Sequence, residues 1–299
     1  MNLFVSGSAN WMKDATTVWK PDAGCDIRYR SLNESVECLR KLERASWDAP
    51  YIIFIGDSRL RQLRDGVITE LTGDDYDFKA NLEALIDPTN YKKHAASGTY
   101  FQSAGTHLWF EWYPYFGEGL TNLVRNLTRS PFKPTLVVMG VGIWLIRDCH
   151  RAKKSQEECV QKYQKDFESL YPFLEELSTT STIIWVPQMA VRDRKFENEN
   201  NINVGFNNKN MKLYNDAILK VLSSKETENG ESTAVTYWHS AWQASIQIDD
   251  GFDGLHMGGT IKHHLTQMLI DWTCGLLLPN THGYDIFNPF KWNSKYCCE

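Results

Sequence analysis

Two short segments, far apart in the chain, carry residue types that together can activate a serine as a nucleophile. Gly56-Asp57-Ser58 follows the apolar run YIIFI, and Asp253-Gly254-Leu255-His256 lies in the glycine-rich stretch GFDGLHMGG. A serine hydroxyl is unreactive at neutral pH unless a base takes its proton, and a histidine held by a carboxylate is a suitable base. The two segments therefore predict Ser58 as nucleophile, His256 as base and Asp253 as the acid that orients the imidazole.

Each segment also has a purely structural interpretation. A serine is favourable at the start of a helix, because its hydroxyl can cap a free backbone N–H group. A histidine in a glycine-rich loop is commonly a surface residue, and the other seven histidines, including His263 and His264, are expected to be structural or solvent-facing. A GDS early in the chain with a DxxH before the last predicted helix is more specific than either segment alone, because together they supply all three groups.

An alternation of strands and helices is expected to hold these segments. Short apolar runs predict strands at Tyr51–Ile55, His107–Trp112, Leu136–Val141, Ile183–Val186 and Ala234–Trp238. An apolar stripe predicts a helix directly after Ser58, with Leu60, Leu63, Val67 and Leu71 on one side. Further helices are predicted at Gln156–Leu177, Asn208–Leu222 and Gly259–Leu276. We expect residues 1–50 to be irregular and 195–208 to form an exposed loop.

This order of elements predicts an α/β fold, because strands that alternate with helices form a parallel sheet with helices on both faces. Ser58 is then expected at the carboxyl end of a parallel strand, where open α/β sheets bind ligands. It also lies at a helix N-terminus, whose free N–H groups and dipole stabilise negative charge. A serine that attacks an ester needs this setting, because the attack creates an oxyanion.

The composition limits the classes of function. The 299 residues are 42% hydrophobic and 23% charged, which is typical of a globular protein. A formal net charge of −5 gives no overall attraction to nucleic acid. The longest apolar run, Thr135–Ile146, is shorter than the roughly 20 residues that span a bilayer. The N-terminal residues lack the pattern of a signal peptide.

The cysteines and sequons favour an oxidising compartment. The seven cysteines contain no CxxC pair or Cys/His cluster, so that no metal site is expected. Cys149 and Cys159 flank the charged stretch RAKKSQEE and are predicted to form a local disulfide. The pairing of the others stays open: Cys25, Cys38, Cys274, Cys297 and Cys298. With the sequons Asn33-Glu-Ser35 and Asn126-Leu-Thr128, they favour the lumen of the secretory pathway.

Several segments resemble, in content and order, those of a known family of enzymes. They are WKPDAGCDIRYRS, FIGDSRLRQL, LWFEWYP, MGVGIWLIR, WVPQM, YND and DGLHMGG. The GDS and DxxH segments resemble those of the SGNH (GDSL-type) hydrolase superfamily, over residues 50–275. The whole series resembles the eukaryotic sialate O-acetyltransferases, in which a lumenal SGNH domain at the N-terminus precedes the membrane-spanning part.

This resemblance implies a fold, an activity and a location. The fold would be a three-layer α/β/α sandwich with a central parallel sheet, as a single lumenal domain of residues 1–299 with its core at 50–278. The activity would be transfer of acetyl from acetyl-CoA, a co-substrate rather than a bound cofactor, to a hydroxyl of CMP-sialic acid or a sialylated glycan. The location would be the Golgi lumen, with membrane attachment only through a portion outside this chain. No nucleic acid partner is expected.

One motif departs from the superfamily pattern. Most SGNH enzymes have a Gly-x-Asn-Asp block whose asparagine helps to form the oxyanion hole, whereas this chain has Gly140-Val141-Gly142-Ile143-Trp144. The sialate O-acetyltransferases also lack the asparagine. The resemblance therefore leaves the Ser58 N–H and backbone groups near Gly140 and Gly142 as the expected oxyanion donors.

Two further residues are candidates for binding substrate. Arg59 could pair with a sialate carboxylate or a nucleotide phosphate, although a solvated helix face is the alternative and is expected for Arg61. Trp144 could stack on a sugar or a base, although core packing is the alternative. Tyr113 and Pro114 are candidate wall residues.

Two other functions fit the same residues. A carbohydrate acetylesterase would use Ser58, Asp253 and His256 to release acetate from an O-acetylated sugar without coenzyme A. A lumenal module that only binds a glycan would need none of the three, and their joint presence argues against it. Transferase and esterase differ only in whether a sugar hydroxyl or water reaches the acyl group first.

Overall fold

A computed structural model of the chain describes residues 7–11, 17–21, 29–46, 49–74, 94–197, 205–225, 234–248, 250–251 and 253–277. The strands are β1 (Gly7–Trp11), β2 (Thr17–Pro21), β3 (Tyr51–Gly56), β4 (Ser97–Phe101), β5 (Thr106–Trp112), β6 (Leu136–Gly140), β7 (Thr182–Trp185) and β8 (Thr236–Tyr237). The helices are α1 (Leu32–Ser46), α2 (Ser58–Thr72), α3 (Glu118–Arg129), α4 (Ile143–Arg151), α5 (Gln156–Ser178), α6 (Asn208–Ser223), α7 (His239–Gln247) and α8 (Gly259–Leu277). A short 3₁₀ helix spans Asp193–Lys195.

A six-stranded sheet forms the centre of the fold, in the order β4-β5-β3-β6-β7-β8. Neighbouring strands are parallel except β4 and β5, which are antiparallel at one edge. Because β3 lies between β5 and β6, Gly56 pairs with Trp112 on one side and with Gly140 on the other. The predicted α/β fold with a parallel sheet is confirmed, with an antiparallel edge strand in addition.

Helices cover both faces of this sheet, and each face has its own apolar core. Side chains alternate along a strand, and accordingly Ile53 and Ile55 of β3 pack in one core while Ile52 and Phe54 pack in the other. The first core includes residues of α3, α4, α5 and α6, and the second includes residues of α1, α2, α7 and α8. The described residues therefore form the three layers that the resemblance implied.

The chain passes from β3 into α2 through a tight turn. Asp57 occupies the N-cap position of α2, and its Oδ1 accepts a hydrogen bond from the Arg59 N–H at 2.9 Å. The capping role considered for Ser58 is thus taken by Asp57. The helix ends at Gly73, whose φ of 75° allows its N–H to bond the Thr69 carbonyl. The predicted apolar stripe is buried in the second core: Leu60, Leu63, Val67 and Leu71.

The sequence does not predict several elements. Residues 1–50 are not irregular throughout, because α1 is a 15-residue helix and β1 pairs with β2 in an antiparallel hairpin. The helices α3, α4 and α7 and the strand β4 also lie in segments without a predicted element. The strand expected to run to Val141 ends at Gly140, and α4 begins three residues later at Ile143.

Two disulfides join described cysteines. Cys149 of α4 is bonded to Cys159 of α5, with Cα atoms 6.1 Å apart, which confirms the predicted local bridge. Cys38 of α1 is bonded to Cys274 of α8, across 236 residues of sequence. The other three cysteines lie outside the described residues: Cys25, Cys297 and Cys298.

The described residues also bear on membrane crossing, on metal binding and on the predicted loop at 195–208. Among the described residues, no helix is both long and apolar enough to cross a membrane. Within the same ranges, no group of three or more His, Cys, Asp or Glu side chains could hold a metal ion. Of the exposed loop expected at 195–208, residues 198–204 lie outside the described ranges, and the described part is not wholly exposed, because Phe196 and Phe206 are buried in the first core. The extent of the domain stays a prediction.

Candidate active site

Ser58 lies at the carboxyl edge of the central sheet, as the first residue of α2. The turn before it depends on Gly56, whose φ of 156° is unfavourable for any residue with a side chain. A Cβ atom on Gly56 would collide with the Gly140 carbonyl of the adjoining strand and lie 2.9 Å from Leu60 Cγ. Glycine at this position therefore lets the chain leave the sheet sharply and start a helix at Ser58.

The loop before α8 places the predicted acid and base. The Asp253 Oδ1 atom accepts hydrogen bonds from the backbone N–H groups of Leu255 and His256, at 2.9 and 2.8 Å. Gly254 has a φ of 83°, and a Cβ there would lie 2.8 Å from Lys195. The aspartate thus closes a tight turn that carries its own carboxylate and the imidazole on one side.

The three predicted catalytic side chains are hydrogen-bonded in series. Asp253 Oδ2 lies 2.5 Å from His256 Nδ1, and His256 Nε2 lies 2.7 Å from Ser58 Oγ. With the Nδ1 proton directed at the carboxylate, Nε2 is available to accept the serine proton. This geometry can activate the hydroxyl as a nucleophile, although the catalytic roles themselves stay predictions.

Charged side chains surround the nucleophile: Asp57 and Arg59 are buried, whereas Asp253 is half-exposed. Partial burial raises the pKa of Asp253, but hydrogen bonds from the His256 side chain and backbone outweigh burial and hold this pKa well below its usual value. Burial raises the pKa of Asp57, opposed by the Arg59 and His256 charges. Burial also lowers the pKa of Arg59 to about 10, which leaves the guanidinium charged at neutral pH. The Asp253 carboxylate is therefore ionised and can stabilise an imidazolium.

The helix that begins at Ser58 also holds the loop that carries His256. Arg59 Nε donates to the Leu255 carbonyl at 3.1 Å. Gln62 accepts the Met257 N–H at 3.0 Å and donates to the Met257 carbonyl at 3.3 Å. The backbone is thus tied to α2 immediately before and immediately after the histidine.

Arg59 lies inside the protein rather than on a solvated helix face. It is 2% exposed, and its Nη1 donates to the Met189 carbonyl at 3.0 Å. Its Nη2 is buried and has no hydrogen-bond partner in the described part of the chain. Substrate binding by Arg59 stays a prediction. Arg61 was expected in solvent, but its side chain is only 13% exposed and pairs with buried Asp65 at 3.0 Å.

The two glycines expected to supply oxyanion donors occupy different positions. Gly140 is paired with Gly56 inside the sheet, whereas Gly142 lies beyond the last pair, directly before α4. The φ of Gly142 is 149°, and an added Cβ would lie 2.6 Å from Gln188 Nε2. Both residues lie at the sheet edge that carries Ser58, and their role stays a prediction.

Trp144 belongs to a group of half-buried rings at the same edge. Its ring centroid lies 5.9 Å from that of Trp112, and the Arg147 guanidinium lies 3.9 Å above the Trp144 ring. Trp112 ends β5 and Trp144 follows β6, so that the two rings meet across the end of β3, where Ser58 lies. Tyr113 and Pro114, the candidate wall residues, are also half-buried there. Contact of Trp144 with substrate stays a prediction.

Sequence reasoning missed a set of polar side chains behind this edge. Tyr163 Oη and Gln188 Nε2 both donate to the Val141 carbonyl, at 2.6 and 2.8 Å. The Asn215 side chain in turn bonds the backbone N–H and C=O of Gln188, at 2.7 and 2.9 Å. Gln188 and Asn215 lie in the WVPQM and YND segments of the resemblance, but nothing in their spacing predicts that they meet.

Fold and site together define a class of protein. It is an α/β protein with a serine, a histidine and an aspartate hydrogen-bonded in series at the carboxyl edge of a parallel sheet, the arrangement that serine-dependent acyl enzymes use. No family model matches the sequence.

A named relative narrows this class. The chain is similar to the N-acetylneuraminate (7)9-O-acetyltransferase of Danio rerio, with 24% identity over 268 residues. The match covers 89% of this chain but only 30% of the relative, so that the chain spans less than a third of the relative's length. This distant similarity supports a relationship to the sialate O-acetyltransferases.

Proposed function

We propose that this chain transfers acetyl from acetyl-CoA to a hydroxyl of a sialic acid, through an acetyl-Ser58 intermediate. The observation that carries the proposal is the series of contacts from Asp253 through His256 to Ser58, at 2.5 and 2.7 Å. The relative's name supports a sialic acid as acceptor. CMP-sialic acid is the proposed form of the acceptor, with a sialylated glycan as the alternative.

In the first half of the reaction, the acetyl group moves to the protein. Ser58 Oγ attacks the thioester carbonyl while His256 Nε2 takes the hydroxyl proton, and the Asp253 carboxylate stabilises the imidazolium. The carbon–sulfur bond then breaks, and the CoA thiolate leaves with the proton that His256 returns. The products of this half are acetyl-Ser58 and free CoA.

In the second half, the acetyl group moves to the sugar. His256 takes the proton of a sialic acid hydroxyl, whose oxygen attacks the acetyl-Ser58 carbonyl. The ester bond to Ser58 breaks, and His256 returns the proton to Ser58 Oγ. The enzyme is restored, and the sugar carries the acetyl ester.

An acetylesterase is the second candidate, and one observation favours it. The side chains of His256 and Asp253 are 34% and 50% exposed, so that water can approach the base. Water in place of the sugar hydroxyl would convert the second half into hydrolysis. The same three residues would then release acetate from an O-acetylated sugar.

We also propose that the chain works in the Golgi lumen, as part of a multi-spanning membrane protein. The two disulfides support an oxidising compartment. The sequon residues Asn33 and Asn126 are both exposed, as attachment of a glycan requires.

Incubation with acetyl-CoA and CMP-sialic acid, with products identified by mass spectrometry, tests the proposal. We expect O-acetylated CMP-sialic acid and free CoA, and neither from Ser58→Ala. A parallel reaction supplies O-acetylated sialic acid without CoA. If acetate is released in this second reaction and no acetyl is transferred in the first, the protein is an acetylesterase and the proposed transferase activity is wrong. No turnover in either reaction would contradict both.

A further inference from the structure

The peptide group between Val141 and Gly142 is fixed by two buried side chains. The Val141 carbonyl accepts hydrogen bonds from Tyr163 Oη and Gln188 Nε2. Tyr163 is 2% exposed and Gln188 is 4% exposed. Burial raises the pKa of Tyr163 well above its usual value, so that its hydroxyl stays protonated and remains a donor. A carbonyl with two buried donors has little freedom to turn.

The direction of this carbonyl sets the direction of the Gly142 N–H group. The Met139 carbonyl accepts the Val186 N–H at 2.7 Å and therefore faces the β7 side of β6. Val141 is two residues further on, and its carbonyl also faces that side, toward Gln188. In a trans peptide the N–H points opposite to the carbonyl, and the described residues contain no cis peptide. The Gly142 N–H therefore faces the β3 side.

On that side, the neighbouring strand has already ended. The last residue of β3 paired with β6 is Gly56, opposite Gly140, and the next residues turn into α2. The Gly142 N–H thus lies at a hydrogen-bonding position of β6 that has no partner residue in β3, because β3 has ended at Gly56. No described residue accepts a hydrogen bond from it. It faces the start of α2, where Ser58 also has a backbone N–H without a partner inside the helix.

We infer that Tyr163 and Gln188 are positioning residues, which fix the Gly142 N–H so that it acts with the Ser58 N–H, the two expected oxyanion donors on this side of β6. This inference rests on the proposed acyl-serine chemistry and deepens it. A backbone donor at Gly142 would replace the asparagine of the superfamily block. Two donors on the Val141 carbonyl also polarise the peptide, which makes its N–H a stronger donor. A donor fixed in advance stabilises an oxyanion without reorganisation.

The test uses Tyr163→Phe, Gln188→Met and the double variant, with Tyr171→Phe as control. Tyr171 lies on the same helix and is 3% exposed, but its ring contacts Phe167 and Lys225, and the donors to the Val141 carbonyl are Tyr163 and Gln188. The probe is a fluorophosphonate, whose phosphorus is attacked by Ser58 Oγ. Fluoride leaves, the proton goes to His256, and the phosphoryl oxygen takes the place of the oxyanion. The rate of Ser58 labelling therefore reports the oxyanion hole without needing the acceptor.

Each single variant should slow labelling about 10-fold and the double variant about 100-fold, because loss of a whole oxyanion donor costs about 100- to 1,000-fold. In acetyl transfer, kcat should fall by the same factor with KM unchanged, and the control should match the wild type. If a folded double variant kept the wild-type labelling rate and kcat, the positioning role of Tyr163 and Gln188 would be wrong. The proposed function would not be affected by that result. If the double variant does not fold, Tyr163→Phe decides the question. Wild-type protein that is never labelled on Ser58 would overturn the proposed function as well.

Discussion

At the scale of single residues, one carboxylate both shapes a loop and orients a base. Asp253 Oδ1 accepts two backbone N–H groups, and Oδ2 contacts His256 Nδ1. Because backbone and ring are held together, His256 Nε2 is directed at Ser58 Oγ. Replacing the carboxylate with an amide separates the two tasks. The amide oxygen can still accept the backbone N–H groups of the turn, whereas the NH₂ group cannot accept a hydrogen bond from His256 Nδ1–H.

Asp253→Asn should therefore keep the fold and lose most of the activity. The amide would favour the imidazole tautomer with its proton on Nε2, which cannot act as base toward Ser58. A decrease in kcat of about 10³- to 10⁴-fold is expected, as for the equivalent change in serine proteases. Steady-state kinetics measure it, with thermal unfolding as the check on fold. A decrease of less than about 10-fold would show that the carboxylate does not orient the base.

At the scale of elements, α2 presents the nucleophile and also holds the base at the correct distance. Arg59 and Gln62 contact the backbone on either side of His256. Ser58, Arg59 and Gln62 lie within about one turn of helix, so that the distance from serine to imidazole is set over a very short path. Movement of the loop away from α2 would lengthen the contact between Ser58 and His256.

Gln62→Met should lower kcat without changing KM. Methionine fills a similar volume but neither donates to nor accepts from the Met257 backbone. We expect a decrease in kcat of about 10-fold, in keeping with strong effects of small displacements on catalysis. Gln161→Met, an exposed glutamine on α5, is the matched control and should have no effect. Equal kcat values for the two variants would show that the loop is held by other contacts.

Sequence patterns predict the elements that have a strong apolar periodicity. They do not predict elements whose apolar pattern is weak or is continuous with that of the preceding element. β3 and the stripe of α2 are predictable because each is an unbroken apolar pattern with a clear end. α4 is not, because the apolar run continues from β6 into the helix with only Val141 and Gly142 between them. The edge strand β4 is also not predicted, because none of its five residues is buried and its sequence therefore lacks an alternating apolar pattern.

The residues of the candidate site also fall into two groups, those that the sequence predicts and those that it does not. Ser58, Asp253 and His256 are predictable because short motifs fix their local spacing. Gln62, Tyr163 and Gln188 are common residue types whose partners lie far away in sequence, and only the packing of the sheet and its helices brings them to the site. The pairing of Cys38 with Cys274 is unpredictable for the same reason.

At the scale of the whole molecule, the two disulfides close loops of very different length. The Cys38–Cys274 bridge joins α1 to α8 across 236 residues, and the Cys149–Cys159 bridge closes only 10. A cross-link removes more entropy from the unfolded chain when its loop is longer. The long bridge also holds an N-terminal helix against the helix that follows the His256 loop.

Removal of the long bridge should therefore cost more stability than removal of the short one. We expect Cys38→Ala with Cys274→Ala to lower the free energy of unfolding by about 5–6 kcal/mol, and Cys149→Ala with Cys159→Ala by about 2–3 kcal/mol. Urea unfolding without reductant measures both. The reverse order would contradict an origin in loop closure.

The central claim for the molecule is that Ser58 carries the acetyl group from donor to acceptor. The most direct measurement mixes the protein with acetyl-CoA labelled in the acetyl group, quenches the reaction, digests the chain and analyses the Ser58 peptide by mass spectrometry. We expect labelled acetyl on Ser58, its passage to CMP-sialic acid when the acceptor is added, and neither label nor product with Ser58→Ala. Product formed by Ser58→Ala at a comparable rate would rule out the acetyl-Ser58 intermediate. The sugar would then attack acetyl-CoA directly, with His256 as its base.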